Sequence, residues 1–181
     1  MSNLEDKYNK DVAKQLGREY GIDNVYAIPH LEKVVVNMGI GQAMKNKELI
    51  KTASADMAAI TGQKPSVRQA KLSIASFSLR KGMKVGLATT LRGDRMYDFL
   101  GKLFSIVLPR LRDFRGLRLS SFDNQGNYTL GIVDHTVFPE IDLAKVSTPL
   151  GMEITIVTST KDKDKARKLL QLLGMPFEKE E

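Results

Sequence analysis

Three groups of residues in this 181-residue chain have the types and spacing to do chemistry, and the chemistry is recognition of polyphosphate. The first lies along strand-like runs, where successive side chains alternate between two faces. From Met83 to Arg92 one set is Val85, Leu87, Thr89 and Leu91, which suits a core; the other is Lys84, Gly86, Ala88, Thr90 and Arg92. In the run beginning Lys33-Val34-Val35-Val36-Asn37, the same alternation turns Val34, Val36 and Met38 inward and Lys33, Val35 and Asn37 outward. Small residues admit a nucleic-acid backbone, Asn, Gln and Thr reach 2′-hydroxyls and base edges, and Lys and Arg take phosphates. A plain solvated sheet face is also polar, so the pattern alone leaves both readings open.

The second group is Lys71-Leu72-Ser73-Ile74-Ala75-Ser76-Phe77-Ser78-Leu79-Arg80-Lys81-Gly82. As a protruding loop it would enter an RNA groove or stack Phe77 on a base. The alternative folds Leu72, Ile74 and Phe77 back onto the core. The third group is Arg110, Arg112, Arg115 and Arg118, which follow no single helical face. Guanidinium forks suit phosphate or carboxylate; scattered solvated arginines are the plain reading.

Charge supports the first reading of each group. The net +7 comes from 28 Lys and Arg against 21 Asp and Glu, but it is unevenly spread. Lys64 to Arg118 holds 13 basic residues against Asp94, Asp98 and Asp113, a local +10, while residues 119–181 carry −3. Such a block is an electrostatic footprint for phosphates, whose neutralisation releases condensed counterions.

Catalytic arrangements fail on their own terms. Asn37-Met38-Gly39-Ile40-Gly41 has Met44 where a dinucleotide loop needs its third glycine, and no G-K-[ST] occurs. His135 beside Asp134 would diverge on a strand, and Asp94, one turn from Asp98, reads as a helix cap. With no Cys, thiolate metal sites are excluded, and two His are too few for a histidine-built zinc site unless carboxylates complete it. The expectation is no enzyme, no metal and no cofactor.

These residues must be carried by a recognisable set of elements. Ser2-Asn3-Leu4-Glu5 reads as a capping box, followed by Leu4, Tyr8, Val12, Leu16 and Tyr20 at four-residue spacing up to Gly21. A second helix is predicted from Lys45 to Thr61, short strands at Lys33–Asn37 and Pro65–Gln69, and a longer one at Met83–Leu91. Asp94 is predicted to cap the clearest helix, with Met96, Phe99, Leu100, Leu103, Phe104 and Val107 as its core stripe and Pro109 as its end. Arg110 to Asn127 shows no sustained period. Tyr128–Val133 and Met152–Thr158 read as strands, and a last helix runs from Asp162 to Gly174. The expectation is an α+β fold over residues 1–181 as a single domain. Its mostly antiparallel or mixed sheet has helices on one face and the other face open for RNA. No apolar run approaches ~20 residues, so no membrane span is expected. The start carries neither a signal peptide's apolar stretch nor the acid-poor composition of a transit peptide, which points to the cytoplasm.

Several segments resemble large-subunit ribosomal protein five in its bacterial form. They are Lys33-Val34-Val35-Val36-Asn37-Met38-Gly39, Thr61-Gly62-Gln63-Lys64-Pro65, Thr90-Leu91-Arg92-Gly93-Asp94-Arg95-Met96-Tyr97 and Leu108-Pro109-Arg110-Leu111-Arg112-Asp113-Phe114-Arg115-Gly116. Gly126-Asn127-Tyr128, Phe138-Pro139-Glu140-Ile141, Gly151–Thr158 and Leu173-Gly174-Met175-Pro176-Phe177 continue the match in order. The resemblance implies a structural ribosomal protein, a monomer off the ribosome, that binds 5S ribosomal RNA in the central protuberance. It also implies contacts with 23S ribosomal RNA, peptidyl-site transfer RNA, small-subunit protein thirteen and neighbouring 5S-associated large-subunit proteins. On this resemblance 5S contacts map to Lys33, Asn37, Gln63, Lys64, Arg68, Thr90 and Arg92. The transfer-RNA and 23S loop maps to Lys71, Ser73, Ser76, Phe77, Ser78, Arg80 and Lys81. The intersubunit contact maps to Arg110, Arg112, Arg115 and His135, with the stretch from Asp134 to Lys145. Two positions depart from the expected pattern: Ser78 stands where a Lys is usual, and Asp134-His135-Thr136-Val137 replaces an acid–glutamine version.

Two other classes compete. A small enzyme using the Gly39/Gly41 turn would be stabilised by ATP or NAD. A DNA-binding or chaperone-type protein needs a recognition helix, whereas the helix after Asp94 turns its apolar face to the core.

Overall fold

Four-residue spacing of apolar side chains drifts by about 40° per step on an α-helix of 3.6 residues per turn, and the first helix shows how the chain absorbs that drift. In the computed structural model, which describes residues 4–41, 47–112, 114–144, 146 and 148–178, helix α1 is α-helical over Leu4–Lys7 and Ala13–Tyr20 and π-helical over Tyr8–Val12. The wider turn keeps Val12 and Leu16 buried on one line. Tyr8 donates its hydroxyl to the Pro29 carbonyl at 3.1 Å, and Gly21 ends the helix at φ +61°. The capping box at Ser2 lies outside the described residues.

The remaining elements are β1 (Leu31–Gly39), α2 (Lys47–Thr61), β2 (Ser66–Gln69), β3 (Lys84–Leu91), α3 (Asp94–Lys102, continued by a π-helical Leu103–Val107 and by Leu108–Arg110), β4 (Tyr128–Ile132), β5 (Met152–Thr158) and α4 (Lys163–Leu173). Residues 45 and 46, predicted to open α2, lie outside the described residues. The strands form a five-stranded antiparallel sheet in the order β2-β3-β1-β5-β4, so the architecture is α+β. The described chain packs as two compact units: Met1–Val34 with Arg92–Leu130 and Thr155–Glu181, and Val35–Leu91 with Gly131–Ile154.

Alternation holds in β1, β4 and β5, whereas the four residues of β2 are all exposed. Val34, Val36 and Met38 are buried in β1, Leu130 and Ile132 in β4, and Met152, Ile154 and Ile156 in β5, while their neighbours are half-buried or exposed. In β3, Leu87, Thr89 and Leu91 are buried as expected, while Val85, near the start of the strand, is only half-buried. Ala88, predicted to face outward, is also buried, because a methyl group is short enough to be shielded by the flanking strands. In the first unit, burial pushes the Tyr97 phenol on α3 up to about 12, with Tyr8 and Glu5 adding to it.

Two helix boundaries differ from expectation. Gly93, at φ +56°, is the N-cap of α3; its carbonyl accepts the Met96 amide at 2.9 Å, and Asp94 is the first helical residue with no side-chain cap bond. The chain reverses there from strand to helix through a positive φ that glycine adopts freely and Asp does not. Asp94 instead places negative charge in the first turn. Pro109 does not stop the helix at once: Leu108–Arg110 continues it, and Leu111 is the C-cap. The preceding π turn, with Leu108 N–H bonded to the Leu103 carbonyl, has already shifted the ladder that proline would break. Helix α4 starts where expected, and Asp162 caps it by accepting the amides of Asp164 at 2.9 Å and Lys165 at 3.5 Å.

These boundaries give a paired test in urea denaturation. Asp162→Ala, which removes a cap, lowers stability by about 1 kcal/mol. Asp94→Ala, which removes only a first-turn charge, stays within about 0.5 kcal/mol of the parent. Equal losses would contradict the assignment of Gly93 as cap.

Candidate nucleic-acid interface

In the second unit, the end of α2 builds one corner of the sheet's open face. Thr61 is buried, and its hydroxyl lies 2.7 Å from the Met57 carbonyl while Gln63 N–H donates to it at 3.4 Å. Gly62 turns the chain at φ +66°. This turn aims Gln63 across to β3, where its Nε2 donates to the Thr90 carbonyl at 3.2 Å. Ser66 then opens β2 and donates its hydroxyl to the Ala88 carbonyl at 3.0 Å. The β2–β3 register sets Ser66 opposite Ala88 and Arg68 opposite Gly86, so the exposed Arg68 faces a residue with no side chain. A Cβ at Gly86 would lie 3.2 Å from the Met38 carbonyl oxygen, a second reason for glycine there.

On this face Asn37, Gln63 and Thr90 are half-buried and Lys64 and Arg68 exposed. Asn37 also borders a shallow depression of about 380 Å³ lined by Gly39, Gly131, Val133, Gly151 and Glu153. Sequence reasoning did not find this glycine-lined floor, although outward glycines in β1 and β4 were its signal. Lys33 and Arg92 belong to the first unit, Lys33 half-buried on the outward side of β1 and Arg92 exposed just after β3.

The 71–82 segment is a closed hairpin. Ala70 N–H donates to Met83 O at 2.9 Å and Gly82 N–H to Ala70 O at 2.9 Å at its neck. Ser73 Oγ accepts the Lys81 amide at 2.9 Å, and Ile74 and Leu79 exchange backbone bonds at 2.9 and 3.1 Å. The tip is a 3-10 turn, Ala75–Phe77, closed by Ser78 in the left-handed region at φ 51°. The reading in which its apolar residues fold back on the core is excluded, because Leu72 is 72% exposed and Phe77 71%. Lys71, Ser73, Ser76, Phe77, Ser78, Arg80 and Lys81 are on it, none of them buried. Leu72 and Ile74 extend the apolar tip beyond Phe77, a period-2 signal in the sequence that only the hairpin makes visible.

The arginine loop, in the first unit, is held by the C-terminal residues. Leu117 pairs in parallel with Phe177: its N–H donates to the Pro176 carbonyl at 2.9 Å, and Glu178 N–H donates back to Leu117 O at 3.1 Å. Tyr128 donates its hydroxyl to the Arg118 carbonyl at 2.9 Å, and its ring packs edge-on against Phe122 and Phe177. Asp123 closes the return turn by accepting the amides of Gln125 and Asn127, both at 2.8 Å. Although desolvation raises it, these bonds and that from the Asn127 side chain prevail and hold the Asp123 carboxyl below its ordinary value. Arg110, Arg112, Arg115 and Arg118 are carried on this framework without being buried.

His135 is placed differently from its expected surface role. It starts a 3-10 turn, His135–Val137, instead of lying on a strand, and it is 1% exposed. It is therefore not a docking residue. Met44, which stands in the third-glycine place after the Gly39/Gly41 turn, and Lys145 of the docking stretch lie outside the described residues.

Polar and basic side chains on a strand-built face, and basic loops on shaped backbones, are the features by which a protein takes phosphate-rich partners. Comparison with known proteins gives the family. Residues 24–80 match the profile described as ribosomal protein L5, and residues 84–177 match the profile for the C-terminus of the same ribosomal family. The chain is 52% identical over 179 residues to the large ribosomal subunit protein uL5 of Dictyoglomus turgidum, covering 99% of this chain and all of that one. It is 50% identical over 179 residues to the protein of the same name from Thermoanaerobacter sp. (strain X514), with the same coverage. The chain belongs to the ribosomal protein L5 family, whose members are structural constituents of the large ribosomal subunit and not enzymes.

The strap over the arginine loop leaves no room for a side chain at Gly116, which has φ +119° and whose added Cβ would sit 2.5 Å from Glu178 N. Gly116→Ala is expected to lower stability by about 2 kcal/mol. Gly131→Ala, with nothing within 4 Å of its Cβ, is expected to change it by less than about 1 kcal/mol. Urea denaturation of the two variants measures both, and an unaffected Gly116→Ala would refute the strap.

Proposed function

We propose that this chain binds 5S ribosomal RNA through the open sheet face, using Lys33, Asn37, Gln63, Lys64, Arg68, Thr90 and Arg92. The observation that carries the reading is the Thr61–Gly62–Gln63 turn. It fixes a half-buried amide against the Thr90 carbonyl and leaves Lys64 and Arg68 exposed beside it. A preordered amide and hydroxyl read sugar and base edges, and flanking cations neutralise phosphates.

In the same proposal the hairpin carrying Lys71, Ser73, Ser76, Phe77, Ser78, Arg80 and Lys81 meets 23S ribosomal RNA and peptidyl-site transfer RNA. Its exposed Phe77 offers a stacking surface among cations. Arg110, Arg112 and Arg115, with the acidic, partly apolar stretch after Asp134, face small-subunit protein thirteen. Neighbouring 5S-associated proteins complete the setting, on the cytoplasmic ribosome, and the chain is a monomer before assembly.

Filter binding to 5S ribosomal RNA across a salt series, with transfer RNA and duplex DNA as competitors, tests the face. The parent binds tightly, outlasts both competitors and weakens as salt rises. Asn37→Ala with Arg92→Ala loses about 2–5 kcal/mol of binding, and Arg92→Ala alone reduces the salt slope by about 1. Phe77→Ala leaves 5S binding unchanged. Equal affinity for all three nucleic acids would reject the proposal.

A further inference from the structure

A surface proposed to take RNA holds one side chain of the opposite sign. Glu153, on β5, is exposed between the buried Met152 and Ile154, so it stands on the outward side of the sheet. A carboxylate repels phosphates, and among the described residues no donor or cation is paired with this one. With Asn37 on β1 and the 90% exposed Val133 after β4, it borders the depression of about 380 Å³ that is floored by Gly39, Gly131 and Gly151. All of these residues lie in the second unit.

The fold does not require glycine at these three positions. None has a positive φ. A Cβ added at Gly39 or Gly131 would meet nothing within 4 Å, and at Gly151 it would make ordinary contacts of 3.5 Å with the Ile132 and Val133 carbonyl oxygens. Glycine weakens a strand, and within one it often marks a place where a ligand approaches the backbone. The space kept open here is shallow, has an apolar side at Val133, and is bordered by a carboxylate and an amide.

A carboxylate only accepts hydrogen bonds, through two oxygens. Among the RNA bases, guanine alone offers two adjacent donors on its Watson–Crick edge, N1–H and N2–H, to match them. Adenine and cytosine each set one amine beside an acceptor nitrogen, and uracil sets one N–H between two carbonyls. Single-stranded RNA is read through such edges. We propose that the depression is a guanine subsite: the base lies over the glycine floor against Val133 and gives N1–H and N2–H to Glu153. The choice of a base rests on the RNA-binding reading of this face. An arginine guanidinium, also planar with paired donors, is the competing occupant.

Amide NMR of the full chain tests the subsite without 5S ribosomal RNA. Guanosine 5′-monophosphate is titrated in the millimolar range, with inosine, adenosine and cytidine monophosphates and N-acetylarginine amide as comparisons. Guanosine monophosphate shifts the Gly39, Gly131 and Gly151 amides to saturation. Inosine monophosphate, which keeps N1–H and lacks the amine, binds about tenfold more weakly, and Glu153→Gln removes the difference between the two. Equal shifts with adenosine monophosphate, no glycine shift with any nucleotide, or arginine amide saturating these amides in place of guanine would overturn the proposal. Filter binding adds a readout by sign. Removing a negative charge from a phosphate-binding face strengthens binding, whereas removing a guanine acceptor weakens it. Glu153→Gln is expected to weaken 5S ribosomal RNA binding about tenfold, and a gain or no change refutes the subsite. A parent chain that does not bind 5S ribosomal RNA refutes the RNA reading of the face, and the nucleotide titration then decides the subsite by itself.

Discussion

A β-strand turns successive side chains to opposite faces, and in β1, β4 and β5 only one of those faces is fully buried. Val34, Val36, Met38, Leu130, Ile132, Ile154 and Ile156 are withdrawn from water on one side. Every residue between them is thereby committed to the other. Lys33, Asn37, Thr129, Gly131, Thr155 and Thr90 are outward because their neighbours must be inward. A one-residue slip would exchange the two sets. The open face is therefore as strongly determined as the core, although no packing energy of its own holds it.

Outward placement alone would leave mobile side chains. What shapes the surface is a layer of short polar contacts to backbone beneath it. Gln63 is held against the Thr90 carbonyl by a turn that Thr61 and Gly62 create. The hairpin is closed at its neck and tied midway by Ser73. The arginine loop is tied by a parallel bridge to Phe177 and by the Tyr128 hydroxyl. In each case the cations themselves stay accessible while the backbone that carries them is fixed. This limits the ordering entropy that binding must overcome. Membership of the ribosomal protein L5 family, with full-length identity near one half, fits a surface built for a fixed partner rather than for turnover.

The His135 pocket shows the same economy applied inside the fold. One imidazole satisfies the Leu150 amide and occupies the space beside Asp56. A sequence reading that treated Asp134-His135 as strand neighbours could not see it, because the 3-10 turn folds the ring inward.

The sequence by itself determined the element order, the inward and outward sets of the strands, the position of the +10 block and the family. All of these follow from local periodicity, composition or ordered motifs, which are properties of neighbouring residues. It also marked the helix ends at Gly21 and Gly174 and the helix start near Asp162, since helix ends are written within a few residues. Only the tertiary structure decided the fate of Ala88, of Leu72, Ile74 and Phe77, and of His135, because burial depends on what another part of the chain supplies. It decided, too, that Gly93 and not Asp94 caps α3, and that α3 runs past Pro109. Both turn on backbone angles that the strand-to-helix reversal and the π turn impose, and no residue type states those angles alone. The strap of Phe177 on Leu117 joins residues 60 positions apart. No local pattern encodes such a contact; it exists because the folded chain brings two backbones to hydrogen-bonding distance.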